Sequence, residues 1–227
     1  MHNTVELLGF YGSDQIIAQS AWCSTSRDLT PEKIERIPAL IKMLWESGHE
    51  TPFEKATVHF LVNTDLASHI HCLKHRIASI NAESARYKEL KEDKFYLPLD
   101  WSNIPLGQDT KDYIPMYGIY NGNTDTWLEA LEKYTELGNK LYHNALKDLT
   151  PVLGRKRAKE SARFFKTYNS QIQADVMFNM RSFANFLKLR TSEHAQLEIR
   201  EIAQEMLRLV EELPEFQATI SVIKESL

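Results

Sequence analysis

Cysteine is scarce in this chain: Cys23 and Cys72 are the only two in 227 residues, with no pairing pattern and no Cys-x-x-Cys spacing. That fits a reducing compartment and excludes a cysteine zinc knuckle. No apolar run approaches the length of about 18 residues that a membrane span needs, so no segment is expected to cross a bilayer. An excess of basic charge is also missing. The net charge of −4 and isoelectric point near 6.1 argue against a general nucleic-acid binder, whose footprint would be basic. The opening "MHNTVELLGFYGSD" lacks a basic flank ahead of an apolar core, which predicts no secretory signal and a cytoplasmic location. Repeats, low-complexity segments and linkers are lacking too, and the expectation is a single domain over residues 1–227.

What is present is an ordinary globular composition, 43% apolar and 26% charged, enough to bury a full core. "TVELLGFYG" reads as a short strand. From Thr30 a helix is predicted, with Thr30 as its cap, Pro31 at the first helical position, a kink or split at Pro38 and Gly48 as its stop. Val58, Phe60 and Val62 alternate as in a strand, after which Asp65 is placed to cap a short helix, "LASHIHCLKH". Residues 98–124 are rich in proline and glycine and read as loop. Helices are expected over "TDTWLEALEKYTELGNKLYHNALKDL", over 155–166, over "MRSFANFLKLR" and over "SEHAQLEIREIAQEMLRLVEELP", with "IQADVMFN" as a strand. The fold class is α+β.

Three stretches carry chemistry. The first, "CLKHRIASINAESARYKEL" at 72–90, crowds Lys74, His75, Arg76 and Arg86 around Ser79, Asn81, Ser84 and Tyr87. "KHR" alone is also what a solvated basic face at a helix end looks like. The hydroxyls, the amide and the later Arg86 and Tyr87 tip the balance toward an anionic small-molecule site, because these groups bind phosphate, sugar or heterocycle edges. His71 and His75 lie four apart, as zinc-binding imidazoles do, with His69 as a possible third. The intervening "CLK", however, lacks the glutamate of the zinc-protease motif, so no metal is expected. Cys72, two residues from Lys74, reads as core rather than as an activated thiolate.

The second stretch is "FNMRSFANFLKLRTSEHAQLEIR". Asn179 stands at a strand-to-helix handover, a natural cap position. Arg181 and Asn185 share one helical face, which suits a nucleotide edge and equally a solvated surface, while Phe183, Phe186 and Leu187 belong to the core. The third, "GHETPFEKA" at 48–56, resembles a helix start, with His49 and Glu54 as candidate rim contacts.

Together these segments resemble the flavin-dependent thymidylate synthases. That family's signature is an Arg-His-Arg triplet, seven residues, then Ser; here it reads "KHR", seven residues, then Ser84, continuing "ARY". "HETPFE" resembles the family's flavin-contacting loop. "FNMRSFANFLKLR…HAQLEIR" is similar to its second signature, and "ARFF" at 162–165 to its Ala-Arg step. The resemblance spans about residues 20–205. It implies a mixed, largely antiparallel sheet flanked by helices, assembled as a homotetramer with active sites at subunit interfaces. It also implies FAD as cofactor, deoxyuridine monophosphate (dUMP) as substrate, and methylenetetrahydrofolate and NADPH as co-substrates, with no cysteine nucleophile. Arg190 matches the catalytic arginine. His71, Lys74, Glu83, Ser84, Arg86, Arg163 and Arg190 map onto nucleotide contacts, with Arg163 donated by another subunit. Ser24, Thr51, Glu54, Lys74, His75, Arg76, Asn179, Arg181 and Asn185 map onto flavin contacts.

Three departures stand out. Lys74 replaces the first arginine of the triplet and loses its planar fork. His71 occupies the place of a nucleotide-contacting glutamine. Ala82 replaces a glutamate, with Glu83 adjacent. They open two alternatives: a related methyl or hydroxymethyl transferase acting on another pyrimidine nucleotide such as dCMP, and, outside the enzymes, a nucleic-acid-binding module.

Overall fold

In a computed structural model, residues 2–113 and 124–227 are described. Part of the expected 98–124 loop, including Pro115, Gly118 and Gly122, lies outside the described residues. In chain order the elements are β1 (Thr4–Tyr11), α1 (Asp14–Trp22), α2 (Pro31–Glu35), α3 (Ile37–Glu46), β2 (Thr57–Asp65), α4 (Leu66–Leu73), β3 (Ser79–Ala82) and α5 (Gln108–Tyr113). They continue with α6 (Trp127–Leu153), α7 (Arg155–Ala162), β4 (Gln171–Asn179), α8 (Met180–Arg190), α9 (Leu197–Glu211) and α10 (Gln217–Glu225). The α+β class holds. No helix among the described residues is long and apolar enough to cross a membrane.

The chain forms two compact units that alternate along the sequence: one holds residues 64–67 and 82–172, the other 3–63, 68–81 and 173–227. The second unit contains most of a four-stranded sheet in the order β1-β2-β4-β3, with β1 and β2 antiparallel. Val58, Phe60 and Val62 of β2 and Ala174, Val176 and Phe178 of β4 are all buried, as period-two alternation requires of one sheet face. Against that face α8 sets Phe183, Phe186 and Leu187, each fully buried. The rings interlock: Phe60 lies 5.7 Å from Phe183, and Phe178 lies 5.1 Å from Phe186. Burial of each such side chain is worth roughly 1.5–3 kcal/mol, so the three together hold α8 on the sheet by several kcal/mol.

Of the two outcomes expected for the helix from Thr30, kink or split, it splits, at Arg36. Thr30 caps α2 through the Lys33 amide, and Pro38 sits near the start of α3, where a missing N–H costs nothing. Gly48 ends it at φ +69°. Gly12 links β1 to α1 at φ +94°, and a β-carbon there would stand 2.7 Å from that of Ala56, so only glycine fits.

In the other unit α6 opens with a capping box between Thr126 and Glu129. Gly138 lets the chain pass close: a β-carbon there would meet the Phe165 carbonyl oxygen at 2.6 Å. Lys166, its side chain only 4% exposed, is held by Asp93 at 2.6 Å and by Asn139 at 2.7 Å.

Several expectations need correction. The helix expected from Ser192 starts at Leu197, since residues 192–196 form turns tied by Ser192 to the amides of His194 and Ala195. The one expected over 155–166 stops at Ala162 and tightens into a turn over Arg163–Phe165. Pro214 closes α9 as expected, but α10 follows. Its first amides, Ala218 and Thr219, are capped from a distance by the Asp14 carboxylate at 2.7 and 3.0 Å. That cap joins residues some two hundred positions apart, which local pattern cannot reveal.

Candidate functional site

A cleft of about 720 Å³ opens in the sheet-containing unit where β4 hands over to α8. Asn179 ends the strand in extended conformation and its side chain accepts from the Ser182 amide at 2.8 Å, so it is the cap its position predicted. The cap sets the helical phase that brings Arg181, Asn185, Lys188 and Arg190 to the cleft wall. Lys74, His75 and Arg76 reach the same cleft from the end of α4, and Glu50 and Glu54 from the turn that follows α3. Trp45, Ile77, Ala184 and Leu189 supply apolar surface.

Arg190 is held by two imidazoles. Its Nε donates to His75 Nε2 at 2.9 Å, and its Nη1 lies 3.4 Å from His71 Nδ1. His75 is 8% exposed and packs edge-on against Phe186, with ring centroids 4.8 Å apart. Burial, with help from the neighbouring Arg190 charge and His71, lowers its pKa from 6.5 to about 4. His75 is therefore neutral near pH 7, and its Nε2 lone pair can accept. Cys72, between these two histidines in sequence, is a buried thiol, in keeping with a place in the core.

Arg181 is occupied differently, by Glu50 at 2.8 Å and Glu54 at 2.7 Å, and both carboxylates raise its pKa. Among the described residues, Lys74, Arg76 and Lys188 have no carboxylate partner. With Arg190, whose partners are imidazoles, the cleft holds four cations without a carboxylate partner among the described residues, in a chain whose net charge is negative. Such an arrangement attracts a ligand carrying several negative charges.

Of the residues expected at a site, Glu54, Lys74, His75, Arg76, Asn179, Arg181, Asn185 and Arg190 line this one cleft. His71 joins through Arg190. Thr51 begins the turn that carries Glu54 but does not line the cleft, and Ser24 is exposed with its hydroxyl donating to the Ala21 carbonyl. His49 is exposed and also outside the lining. Glu83, Ser84, Arg86 and Arg163 belong to the other unit. There Glu83 accepts from Lys88 at 2.5 Å, Arg86 pairs with Glu160 at 3.0 Å, and the Ser84 hydroxyl accepts from the Arg86 amide. Glu50 and Lys188 were missed. Lys188 continues the 181, 185 stripe by one more helical step, a signal that was available; Glu50 became visible only through its pairing with Arg181.

Residues 6–215 match the family model described as thymidylate synthase complementing protein. The chain belongs to the flavin-dependent thymidylate synthase family. The enzyme of that name from Pseudothermotoga lettingae is 35% identical over 199 residues, covering 88% of this chain and 80% of its own. Its namesake from Thermosipho melanesiensis is 32% identical over 213 residues, covering 92% and 85%. Among solved structures, the UMP/dUMP methylase PolB from Streptomyces cacaoi, bound with 5-Br dUMP, superposes with a TM-score of 0.75 at 25% identity, over 98% of this chain and 95% of that one. Membership makes this chain an enzyme of the thymidylate synthase kind.

Proposed function

We propose that the chain catalyses reductive methylation of dUMP to dTMP, with FAD bound, methylenetetrahydrofolate as one-carbon donor and NADPH as reductant. It acts as a homotetramer whose active sites lie at subunit interfaces. The observation that carries this reading is the cleft itself: four cations with no carboxylate partner among the described residues, one of them an arginine held by two imidazoles.

The donor set fits a flavin dinucleotide. Lys74, Arg76 and Lys188 suit a pyrophosphate, and the amides of Asn179 and Asn185 suit a heterocycle or ribose edge. Trp45, Ile77 and Leu189 give apolar surface for a flat ring, and a cleft of about 720 Å³ lies within the range of cofactor sites. Once bound, the flavin supplies the two-electron chemistry that turns a transferred methylene into a methyl group. Ser24, Thr51, Glu54, His75 and Arg181 complete the cofactor's surroundings in this reading.

The chain's own part in catalysis centres on Arg190. Carbon 5 of uracil is a weak nucleophile until negative charge builds on the ring. A guanidinium aimed at that charge stabilises it by charge-assisted hydrogen bonds, and stabilises it more as the charge grows. Lys74, His71, Glu83, Ser84 and Arg86 hold the nucleotide, with Arg163 of a neighbouring subunit on its phosphate.

A second reading, a methyl or hydroxymethyl transferase acting on another pyrimidine nucleotide, is favoured by Ala82, His71 and Lys74. The likeness to an enzyme named for both UMP and dUMP supports it as well.

Purified protein should be yellow, release FAD on denaturation, and methylate dUMP faster than UMP or dCMP when given methylenetetrahydrofolate and NADPH. A colourless preparation that takes up no added FAD refutes the flavoenzyme reading. Preference for UMP or dCMP replaces the first reading by the second.

A further inference from the structure

We infer that His75 and His71 are positioning residues for Arg190, two imidazoles that accept from two different nitrogens of one guanidinium and so fix its plane. The inference rests on the reading of Arg190 as the catalytic arginine, and it gives His75 a role in addition to the cofactor contact that family resemblance assigns.

A guanidinium carries five N–H donors in a rigid fork. One point of attachment leaves it free to swing about the bond it makes. Two attachments on different nitrogens remove that rotation, and here they are Nε to His75 and Nη1 to His71. The remaining donors are one N–H on Nη1 and both on Nη2. They are left in a defined plane at the wall of the cleft, which Arg190 lines. The closer attachment point is itself fixed. His75 is buried and braced edge-on by Phe186, whose own side chain is locked against Phe178 at 5.1 Å. His71 sits one helical turn before His75, near the end of α4.

Neither partner is a carboxylate, and His75 accepts without charge. A carboxylate would hold the arginine as well but would spend its charge, as Glu50 and Glu54 do with Arg181. A neutral imidazole orients the cation and leaves its field available to a reacting ring. In His75 this requires the tautomer with the proton on Nδ1, and in His71 the proton on Nε2.

The test compares His75→Leu with His75→Gln, whose amide oxygen can replace the Nε2 lone pair. A displacement of about 1 Å in a catalytic group costs on the order of 100-fold. His75→Leu should therefore lower kcat by about 100-fold with KM for dUMP changed less than about threefold, and His75→Gln should restore most of kcat. Nitrogen-15 NMR of the Arg190 Nε–H gives a readout independent of turnover: a slowly exchanging signal in wild type and His75→Gln, lost in His75→Leu. Full kcat in His75→Leu, or an Nε–H signal indifferent to that substitution, overturns the inference. Arg190→Ala with undiminished turnover overturns the catalytic reading instead. In that case an Nε–H signal still dependent on His75 would reduce the pair to a structural contact.

Discussion

The buried imidazole of His75 makes a quantitative prediction about acid stability. Its folded pKa is about 4, against 6.5 for the free side chain. Between those values the unfolded chain binds a proton that the folded chain refuses. Stability contributed here is thus present above pH 6.5 and is lost as pH falls toward 4. Each tenfold difference in proton affinity between the two states corresponds to about 1.4 kcal/mol, so the full span sets a ceiling of about 3 kcal/mol. The ring borders an open cleft, and contact with water there brings the expected loss to about 1.5 kcal/mol. His75→Gln keeps an acceptor for Arg190 and cannot titrate. Urea unfolding of both proteins at pH 7.5 and pH 4.5, at equal protein concentration, isolates the His75 contribution as a double difference, because the carboxylates titrate identically in each. Wild type should lose about 1.5 kcal/mol more than the variant. Equal losses, within about 0.3 kcal/mol, would show that His75 titrates normally and is not the neutral acceptor described above.

Other perturbations test separate parts of the structure. Gly12→Ala should cost about 2–3 kcal/mol in thermal or urea unfolding, because the residue combines φ +94° with a blocked β-carbon position; a loss under about 0.5 kcal/mol would contradict that geometry. Lys188→Ala should weaken FAD binding on the order of tenfold in a titration of apoprotein, as expected for removal of one charge-assisted contact at an open site, with the melting temperature unchanged. Ala82→Glu should tighten dUMP binding on the order of tenfold, since Glu83 is engaged by Lys88 at 2.5 Å; unchanged affinity would mean that Glu83 already serves.

How much of this was legible in the sequence depended on distance along the chain. The strand at 171–179, its Asn179 cap and α8 were readable because periodicity, a capping residue and an aromatic stripe agree within twenty residues. The split at Pro38 was readable for the same reason. The four residues of β3 were not, because "SINA" is too short to show alternation and acquires strand geometry only by pairing with β4. α1 was passed over because "DQIIAQSAW" shows only a faint apolar stripe, although Ser13 caps it through the Ile16 amide. In the site, residue types were legible and pairings were not. "KHR" announces three basic groups alike, but the fold buries His75 to neutrality and leaves Lys74 and Arg76 exposed. Which one orients and which two attract is decided by Phe186, more than a hundred residues away.

The distribution of carboxylates carries the same point into function. Elsewhere in this acidic chain many cations are matched: Arg86 by Glu160, Arg155 by Glu89, Lys166 by Asp93, Arg208 by Glu205 and Glu212. Among the described residues of the cleft, only Arg181 is treated that way. Had charge pairing been the purpose there, Glu50 and Glu54 could have been divided between two cations; instead both serve one arginine, at 2.8 and 2.7 Å. Arg181 is thereby more than offset, one guanidinium against two carboxylates, while Lys74, Arg76, Lys188 and Arg190 keep their charge and leave the cleft positive. Surface cations held close together repel one another, and screening by salt only partly relieves it. The protein thus carries an unfavourable local charge that an anionic ligand relieves. Binding should accordingly raise stability more at low ionic strength than at high. A thermal shift on adding FAD that is independent of salt between about 20 and 500 mM would deny the cations that role.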